Sequence, residues 1–346
     1  MSNIAWFVTH SGNPMAKKYL LIVVVYWFVF AAPFSAVQAQ ALEVSEQDIF
    51  RVLSWNVLHG ANDVERGAEK ALAIIREVQP DVVLMQESYD IDGDRPTLGR
   101  WLAAELGWNA YQDESPHLCV LTPLQLKETF FHDAWHGLGA RLIDEQGREL
   151  IAYSIWIDYR SYITADLRDN PDISDEELLA AENVRSTRMQ EAQAILEHLK
   201  TTGQFEADVP LLVGGDWNTP SHLDWTVDTA RVFKRRRALA LPVSTAVHAA
   251  GFTDTFRAVH PNPVQHPGIT WSPMFRTSGG KEQGFERIDR VCLKNSQTPN
   301  DGWALQPVAA KVLPEVWEDE SIPIAEREFP SDHGAVLIDF VWKRSN

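Results

Sequence analysis

Cysteine is scarce in this chain of 346 residues, which contains only Cys119 and Cys292. Two cysteines form one disulfide at most, and this excludes a small scaffold stapled by disulfides. Basic residues are also few, because 31 lysines and arginines stand against 48 aspartates and glutamates, for a net charge of −17. We therefore do not expect a broad basic face that binds duplex nucleic acid. A metal ion would still allow such a chain to act on a phosphate ester.

Internal repeats and linkers rich in proline or serine are absent as well. Hydrophobic residues make up 45% of the chain and charged residues 23%. These values are typical of a folded globular protein and exclude disordered, collagenous and coiled-coil chains. The length suffices for one large domain or two ordinary ones. Since no linker divides the chain, we predict a single domain over residues 40–346.

Long apolar runs are confined to the first forty residues. Lys17 and Lys18 precede the apolar segment Tyr19–Ala32, and small residues follow up to Ala39. A basic region, an apolar core and a small-residue cleavage site predict a signal peptide over residues 1–39, cleaved after Ala39. The protein would then be secreted or periplasmic, and the mature chain would have no transmembrane span. The alternative is an uncleaved anchor, although the run is short for a span of ~20 residues.

The rest of the chain has the pattern of strands interrupted by occasional helices. Helices are predicted at 69–78 and 97–106, and a capping box at Ser174–Glu177 begins a helix that extends to Leu199. The polar stretch 159–181 is interpreted as an insertion or a long active-site loop. Predicted strands lie at 50–58, 81–87, 117–122, 149–158, 209–214, 268–271, 286–294 and 334–342. This order suggests packed sheets flanked by helices, without a strict alternation of strand and helix.

Polar side chains stand at the ends of several predicted strands. If the strands form two packed sheets, these ends meet at one rim. Carboxylate and amide oxygens with few soft ligands favour a hard cation, Mg²⁺ or Mn²⁺, which suits the hydrolysis of a phosphate ester. The residues expected to share this pocket are Asn56, Glu87, Asp216, Asn218, Asp332 and His333.

Each of these motifs taken alone also has a simpler interpretation. Glu87 follows a buried strand and would serve equally well as a solvated strand end. The sequence Gly215–Asn218 is a common turn, because Asp and Asn side chains bond their own backbone. Asp289 is harder to explain in this way, since it interrupts an apolar strand, where a carboxylate needs a partner.

Taken together, these motifs resemble those of the endonuclease/exonuclease/phosphatase superfamily of DNase I-like proteins. They occur in the family's order from Asn56 to His333, across nearly all of the chain that follows the predicted signal peptide. The resemblance implies an α/β fold, a four-layer α/β sandwich with two packed mixed β-sheets flanked by helices. It places the active site at the mouth between the two sheets.

The resemblance also implies a role for each residue. Glu87 would be the main metal ligand, helped by Asn56 and Asp332. Asp216 would orient or deprotonate the attacking water, and Asn218 would hold a phosphoryl oxygen. His333, oriented by Asp289, would stabilise the charge that develops on phosphorus. These last four residues are the predicted catalytic set: Asp216, Asn218, Asp289 and His333.

The chain departs from the family at one position. Many members have a second catalytic histidine on the strand that corresponds to residues 149–159, and Trp156 occupies that place here. Some members use a tyrosine in this region, for which Tyr153, Tyr159 and Tyr162 are candidates. Whether Trp156 lowers the activity stays open.

The resulting hypothesis is an exported, Mg²⁺-dependent phosphoesterase. A small phosphoester suits the acidic charge best, a secreted nuclease is possible but not favoured by the charge, and a lipid phosphodiesterase is the third possibility. The alternative of another class is a non-catalytic, metal-dependent binding protein with the same fold. Trp217, Trp225 and Trp271 lie near the motifs and are candidates to line a substrate groove. The substrate, the number of metals and the oligomeric state stay open.

Overall fold

The structure, a computed structural model, describes residues 49–233, 237–272, 274–297 and 302–344. The predicted signal peptide and its cleavage site lie outside these residues and stay predictions. No helix in the described ranges is long and apolar enough to cross a bilayer.

The central feature is a pair of six-stranded mixed sheets. The first has the order β13-β14-β1-β2-β4-β3 and the second β5-β6-β7-β8-β12-β9, while β10 and β11 form a separate hairpin. The strands, in chain order, are β1 (Ile49–Asn56), β2 (Val82–Gln86), β3 (Asn109–Tyr111), β4 (Cys119–Thr122), β5 (Gln125–Asp133), β6 (Gly137–Ile143), β7 (Glu149–Trp156), β8 (Leu211–Asp216), β9 (Thr253–Asp254), β10 (Thr277–Ser278), β11 (Lys281–Glu282), β12 (Asp289–Lys294), β13 (Trp303–Leu313) and β14 (Ala335–Arg344).

Helices cover the outer faces of both sheets. Successive side chains of a strand point to opposite faces, so each sheet contributes one apolar face to a shared interior and another to its helices. Val52 of β1 packs in the core between the sheets, whereas its neighbour Leu53 packs beneath α1 and α2. On the second sheet, α5 and α7 cover the outward face of β7 and β8. The helices are α1 (Gly67–Val78), α2 (Leu98–Leu106), α3 (Ile163–Asp169), α4 (Asp175–Asn183), α5 (Arg188–Thr201), α6 (Val227–Val232), α7 (Pro242–Ala249) and α8 (Thr255–Val259).

The order helix, sheet, sheet, helix is the predicted four-layer sandwich, and the fold class is confirmed. The strands that were expected to end at one rim lie at the centres of the two sheets. In the first sheet, β1 runs parallel to β2, with Asn56 beside Gln86. In the second, Trp156 lies beside Asp216 on the parallel pair of β7 and β8, and Asp216 lies opposite Asp289 on the antiparallel β12.

The single helix predicted from residue 174 to Leu199 is wrong. Its capping box is present, since Ser174 Oγ accepts a bond from the Glu177 N–H at 3.2 Å. The chain nevertheless breaks into α4 and α5. Ser186 Oγ and the Arg188 guanidinium both donate to the carbonyl of Ala181, at 2.6 Å and 2.9 Å. These side chains take the acceptor that a continuing helix would use.

The strand predicted at 268–271 is also wrong. Trp271 pairs with Glu286 only as an isolated bridge. The reason is that Thr270 Oγ1 accepts the backbone N–H bonds of Ile288 and Asp289, at 3.0 Å and 3.1 Å. A side chain thus replaces the carbonyls of a regular ladder, and the segment is free to turn toward the rim.

The two cysteines are buried free thiols. Cys119 belongs to β4 in the first sheet and Cys292 to β12 in the second. Burial raises the pKa of each thiol to about 12, so both stay protonated at neutral pH.

Candidate active site

The rim between the two sheets collects the polar strand ends into one network. Asn56 is its centre, because its Nδ2 donates to Glu87 Oε1 at 3.0 Å and to Asp216 Oδ2 at 3.1 Å. Glu87 follows β2 in a left-handed conformation, φ 57°. Its other oxygen accepts the N–H of His59 at 3.0 Å. One amide therefore joins a carboxylate of the first sheet to a carboxylate of the second.

Glycines allow the two sheets to approach each other at this point. A Cβ at Gly214 would lie 2.6 Å from Leu84 Cδ1 in the facing sheet. A Cβ at Gly215 would lie 1.9 Å from the carbonyl oxygen of Ile155 on the adjacent strand. The contact at Gly215 is with backbone and excludes any side chain, whereas at Gly214 the end of the Leu84 side chain would have to move.

His333 lies among three carboxylates. Its Nδ1 contacts Asp289 Oδ2 at 3.0 Å, while its Nε2 lies 3.9 Å from Asp216 Oδ2 and 4.0 Å from Asp332 Oδ1. Burial alone would lower the pKa of His333, but the carboxylates, that of Asp289 foremost, raise it well above its ordinary value. The imidazole is therefore held as a cation, with its Nε2 turned to the centre of the rim.

The pKa values of two neighbouring carboxyl groups, Asp216 and Asp332, are raised. Burial, and after it the neighbouring Asp289, raise the pKa of Asp216 to about 7. Burial likewise raises the pKa of Asp332. A carboxyl with a pKa near neutrality is suited to accept a proton from an attacking water.

The segment before β14 is tied to the end of β1. Ser331 Oγ donates to the carbonyl of Asn56 at 2.6 Å and accepts the N–H of His333 at 3.0 Å. Trp271 Nε1 donates to Asp332 Oδ2 at 3.1 Å. These bonds fix Asp332 and His333 beside Asn56. Sequence reasoning did not single out Ser331, whose only signal is its place next to the Asp-His pair.

Tyr162 is the tyrosine that reaches the site. Its ring stacks on Trp271 with centroids 4.8 Å apart, and its hydroxyl donates to Asn218 Oδ1. Asn218 Nδ2 in turn donates to the carbonyl of Ile157 at 2.7 Å. Burial raises the pKa of Tyr162 well above its ordinary value, so the phenol is a hydrogen-bond donor and not an anion.

The other two tyrosine candidates lie elsewhere. Tyr153 is fully buried beneath α5, while Tyr159 is 58% exposed and packs beside Trp156. The stretch 159–181 therefore reaches the rim through Tyr162, although much of it is helical. Arg188 holds this segment in place, with bonds to the carbonyls of Asp158 at 3.2 Å and Ser161 at 2.7 Å.

Trp156 ends β7 next to Asp216, where the family's histidine was expected. Its ring packs edge-on against His117, with centroids 5.4 Å apart, and its Nε1 is buried without a partner among the described residues. Burial lowers the pKa of His117 to about 4, so this neighbour is neutral. Neither ring supplies a charge at the rim.

The tryptophans proposed to line a groove divide into two kinds. Trp271 belongs to the site, as its bond to Asp332 demonstrates. Trp217 and Trp225 are buried at 2% and 1% exposure and cannot contact a substrate, so that prediction is wrong for both. Trp217 packs against α5 and α7, and Trp225 packs against α3 and α4.

The donor set fits a hard cation. The rim holds four carboxylates (Glu87, Asp216, Asp289 and Asp332) and one imidazolium, so it carries excess negative charge. Asp332 Oδ1 and Asp289 Oδ1 are buried without hydrogen-bond partners among the described residues. Ligand atoms of Asp216, Asp289 and His333 also lie within 4.8 Å of one another. The bond between His333 and Asp289 nevertheless marks these two as an ion pair.

Comparisons with known proteins agree with this fold. The family model described as "Endonuclease/Exonuclease/phosphatase family" matches residues 53–333. The uncharacterized protein F14F9.5 of Caenorhabditis elegans is 29% identical over 306 residues, which cover 84% of this chain and 91% of that protein.

Solved structures share the fold at low identity. A humanized D. rerio TDP2 is 16% identical with a TM-score of 0.51, covering 85% of this chain and 99% of the other. An endonuclease/exonuclease/phosphatase of Beutenbergia cavernae is 17% identical with a TM-score of 0.51, covering 85% and 72%. At these identities the likeness concerns the fold alone.

Proposed function

Because the chain belongs to the endonuclease/exonuclease/phosphatase family, we propose that it is a metal-dependent phosphoesterase that hydrolyses a small phosphodiester or phosphomonoester. The observation that carries the proposal is the network in which Asn56 joins Glu87 to Asp216 while His333 faces the same centre. Such a set provides a base and a cation at one point, which is what attack of water on a phosphate ester requires.

Glu87, Asn56 and Asp332 would hold the divalent cation, Mg²⁺ or Mn²⁺. Their oxygen donors suit such an ion. The buried Asp332 Oδ1 has no hydrogen-bond partner among the described residues, so binding a cation would break no bond of that atom. When bound, the ion neutralises phosphoryl oxygens and makes water a better nucleophile at neutral pH.

Asp216 is the residue proposed to take a proton from the water. Its pKa near 7 leaves a substantial fraction ionised at neutral pH while giving it useful basicity. The Asn218 N–H donates to Asp216 Oδ1 at 2.8 Å, which fixes the orientation of the carboxylate.

His333 and the side chains beside it would bind the phosphoryl oxygens. The imidazolium places a positive charge where negative charge develops in the transition state, and Asp289 keeps it protonated and oriented. Tyr162 holds Asn218 so that its amide stays at the rim, and its phenol is the nearest substitute for the absent histidine. Trp156 contributes only shape, because an indole neither takes nor gives a proton.

A small substrate is preferred to a long nucleic acid on electrostatic grounds. Asp63, Asp90 and Asp92 are exposed on the loops that flank Glu87, and the chain as a whole is strongly acidic. These charges would repel a polyanion, whereas a small ester meets only the centre of the site. Export of the enzyme, predicted from residues 1–39, is part of the proposal.

The test is an activity screen of the purified chain lacking residues 1–39, with and without Mg²⁺. The substrates are bis-p-nitrophenyl phosphate, p-nitrophenyl phosphate, plasmid DNA and sphingomyelin. Glu87→Gln is expected to lower kcat/KM by at least ~10²-fold, since replacing even an indirect metal contact costs 10–100-fold. Glu105→Gln, on the exposed side of α2, is the matched control and should keep wild-type activity.

Two results would count against the proposal. Full activity in EDTA, or in Glu87→Gln, would exclude a metal at this position. If the wild type binds Mg²⁺ by calorimetry and is inert on every substrate, the chain is instead a metal-dependent binding protein. Cleavage of plasmid DNA in preference to the small esters would establish the nuclease.

A further inference from the structure

The loop that follows β8 is held by buried side chains from outside the proposed catalytic set. This loop begins directly after Asp216 and carries Asn218, and the next residue, Thr219, is buried. The hydroxyl of Thr219 donates to Glu182 Oε1, and its carbonyl accepts a bond from Arg290 Nη1. The residue after Asn218 is therefore fixed through both its side chain and its backbone.

Glu182 lies in the last turn of α4 and is fully buried. Its other oxygen, Oε2, accepts the N–H of Val243 in the first turn of α7 at 2.8 Å. Burial raises the pKa of Glu182, while the bonds from Thr219 and Val243 oppose that shift. One carboxylate thus joins the loop to two helices, and each of its oxygens accepts a directional bond.

The segment between β7 and α5 contacts the loop at two consecutive residues. Near the start of this segment, the Tyr162 hydroxyl donates to Asn218 Oδ1. Near its end, Glu182 accepts the bond from the Thr219 hydroxyl. The same segment therefore fixes the side chain of Asn218 and the residue that follows it.

Arg188 connects the two ends of this segment. Its guanidinium donates to the carbonyl of Ser161 at 2.7 Å and to that of Ala181 at 2.9 Å. These carbonyls belong to the residues that directly precede Tyr162 and Glu182. Both contacts with the loop are therefore anchored by a single buried side chain.

The conformation of Asn218 needs such support. Its backbone is left-handed, with φ 49°, a region that is sparsely populated and persists only where the surrounding structure maintains it. A buried carboxylate is an expensive way to stabilise a fold, since well-packed apolar residues often serve as well. Apolar contacts are not directional, however, whereas the two bonds of Glu182 fix an orientation.

We propose that Glu182 is a positioning residue of this site: by binding Thr219, it sets the orientation in which Asn218 meets a phosphoryl oxygen. Because Glu182 is fully buried, it acts without contact with the substrate. The inference rests on the proposed function, in which Asn218 holds that oxygen. A displacement of about 1 Å in a positioning group costs on the order of 10²-fold in rate.

Thr219→Val is the central test, because valine preserves the shape of threonine and removes the hydroxyl. With bis-p-nitrophenyl phosphate and Mg²⁺, we expect kcat to fall by roughly 10–10²-fold with KM little changed, as for a contact made in the transition state. Glu182→Gln should have a similar effect, since its NH₂ must face one of two donors. Thr219→Ser keeps the hydroxyl and loses a buried methyl group, so it should lower the Tm but retain most of kcat.

Thr255→Val is the matched control. Thr255 is also fully buried, and its hydroxyl donates to the carbonyl of Val291 at 2.7 Å. The same substitution there removes a buried hydrogen bond away from the loop. It should lower the Tm and leave kcat at the wild-type value.

Hydrogen–deuterium exchange gives a readout that does not need activity. The N–H of Trp217 donates to the carbonyl of Ile288 at 3.0 Å, and that of Asn218 donates to Asp216 Oδ1 at 2.8 Å. Peptides that span residues 216–224 should exchange faster in Thr219→Val and Glu182→Gln than in the wild type. Thr255→Val should leave the exchange of these peptides unchanged.

Two results would overturn the proposal. One is unchanged exchange of residues 216–224 in Thr219→Val, whether or not the chain is active. The other is a loss of kcat that follows the loss of Tm across all the variants, Thr255→Val included, since the contact would then serve stability alone. An inert wild type with faster loop exchange in Thr219→Val would refute the proposed function but support the contact between Glu182 and the loop. If Glu182→Gln does not fold, the comparison of Thr219→Val with Thr219→Ser decides.

Discussion

The ion pair of Asp289 and His333 offers the sharpest test of the proposed chemistry. Asp289→Asn preserves the shape of the side chain and removes its charge. In the wild type, Oδ2 contacts His333 Nδ1 at 3.0 Å, and Oδ1 is buried without a partner among the described residues. An asparagine must therefore either bury an unbonded NH₂ at the place of Oδ1 or turn that group to the histidine, where two donors would meet.

The size of the effect follows from the role of the imidazolium. Loss of one preorganised donor to a developing oxyanion costs roughly 10²–10³ in kcat. We expect Asp289→Asn and His333→Ala each to lose that much, with KM little changed. Because residues that act as a unit have non-additive effects, the double variant should be little slower than the slower single variant.

The assay is hydrolysis of bis-p-nitrophenyl phosphate with Mg²⁺, alongside circular dichroism to confirm folding. The pH profile gives a second readout. Asp289 raises the pKa of His333, so the active cation persists well above the ordinary range and is lost as the pH rises through the folded-state pKa. Without the carboxylate, the alkaline limb of the kcat profile should move to lower pH. Rate losses that multiply in the double variant, or an unmoved alkaline limb, would refute the reasoning.

Three further predictions concern the rim and its packing. Tyr162→Phe removes the hydroxyl at the site and should lower kcat by about 10-fold or more. Tyr159→Phe, on an exposed ring, is the control and should match the wild type. Equal rates in the wild type and both variants would exclude a role for Tyr162. Trp156→His restores the residue typical of the family, and a change in the rate on the chromogenic diester is expected, while an unchanged rate would show that this position does not contact the substrate. Gly215→Ala places a Cβ 1.9 Å from the Ile155 carbonyl oxygen. It should lower the free energy of unfolding, measured by urea titration, by about 1–3 kcal/mol or more. A variant as stable as the wild type would contradict the packing argument.

The composition of the rim was predictable because it depends on short patterns. Asn56, Glu87, Asp216 and Asp332 each lie at or next to a strand end that is recognisable from its apolar residues. In the structure, Asn56 bonds Glu87 and Asp216, and His333 Nε2 lies 3.9 Å from Asp216 and 4.0 Å from Asp332. The carboxylate of Asp289 was expected to need a partner, and the structure supplies His333 as that partner.

The helix predicted at 174–199 and the strand predicted at 268–271 were wrong because, in each, a side chain replaces a backbone hydrogen-bond partner. Ser186 and Arg188 take the carbonyl of Ala181, so a helix that looks continuous in sequence ends and restarts. Thr270 takes the N–H groups of β12, so a short apolar segment that looks like a strand becomes a turn toward the site. Propensity and periodicity describe the backbone and do not register such local competition.

Apolar periodicity alone suggested packed sheets flanked by helices, and the resemblance of the ordered motifs to a known family supplied the four-layer sandwich and its shared rim. Which of Tyr153, Tyr159 and Tyr162 reaches the rim could not be predicted from the sequence. That choice depends on how the segment after β7 folds back over the rim, held by Arg188 through bonds to carbonyls distant in sequence. The buried ion pairs of Arg287 with Asp224 and Asp254 could not be predicted either, because such pairs form between residues that only the packed sheets bring together, and their energies depend on burial that no local pattern contains.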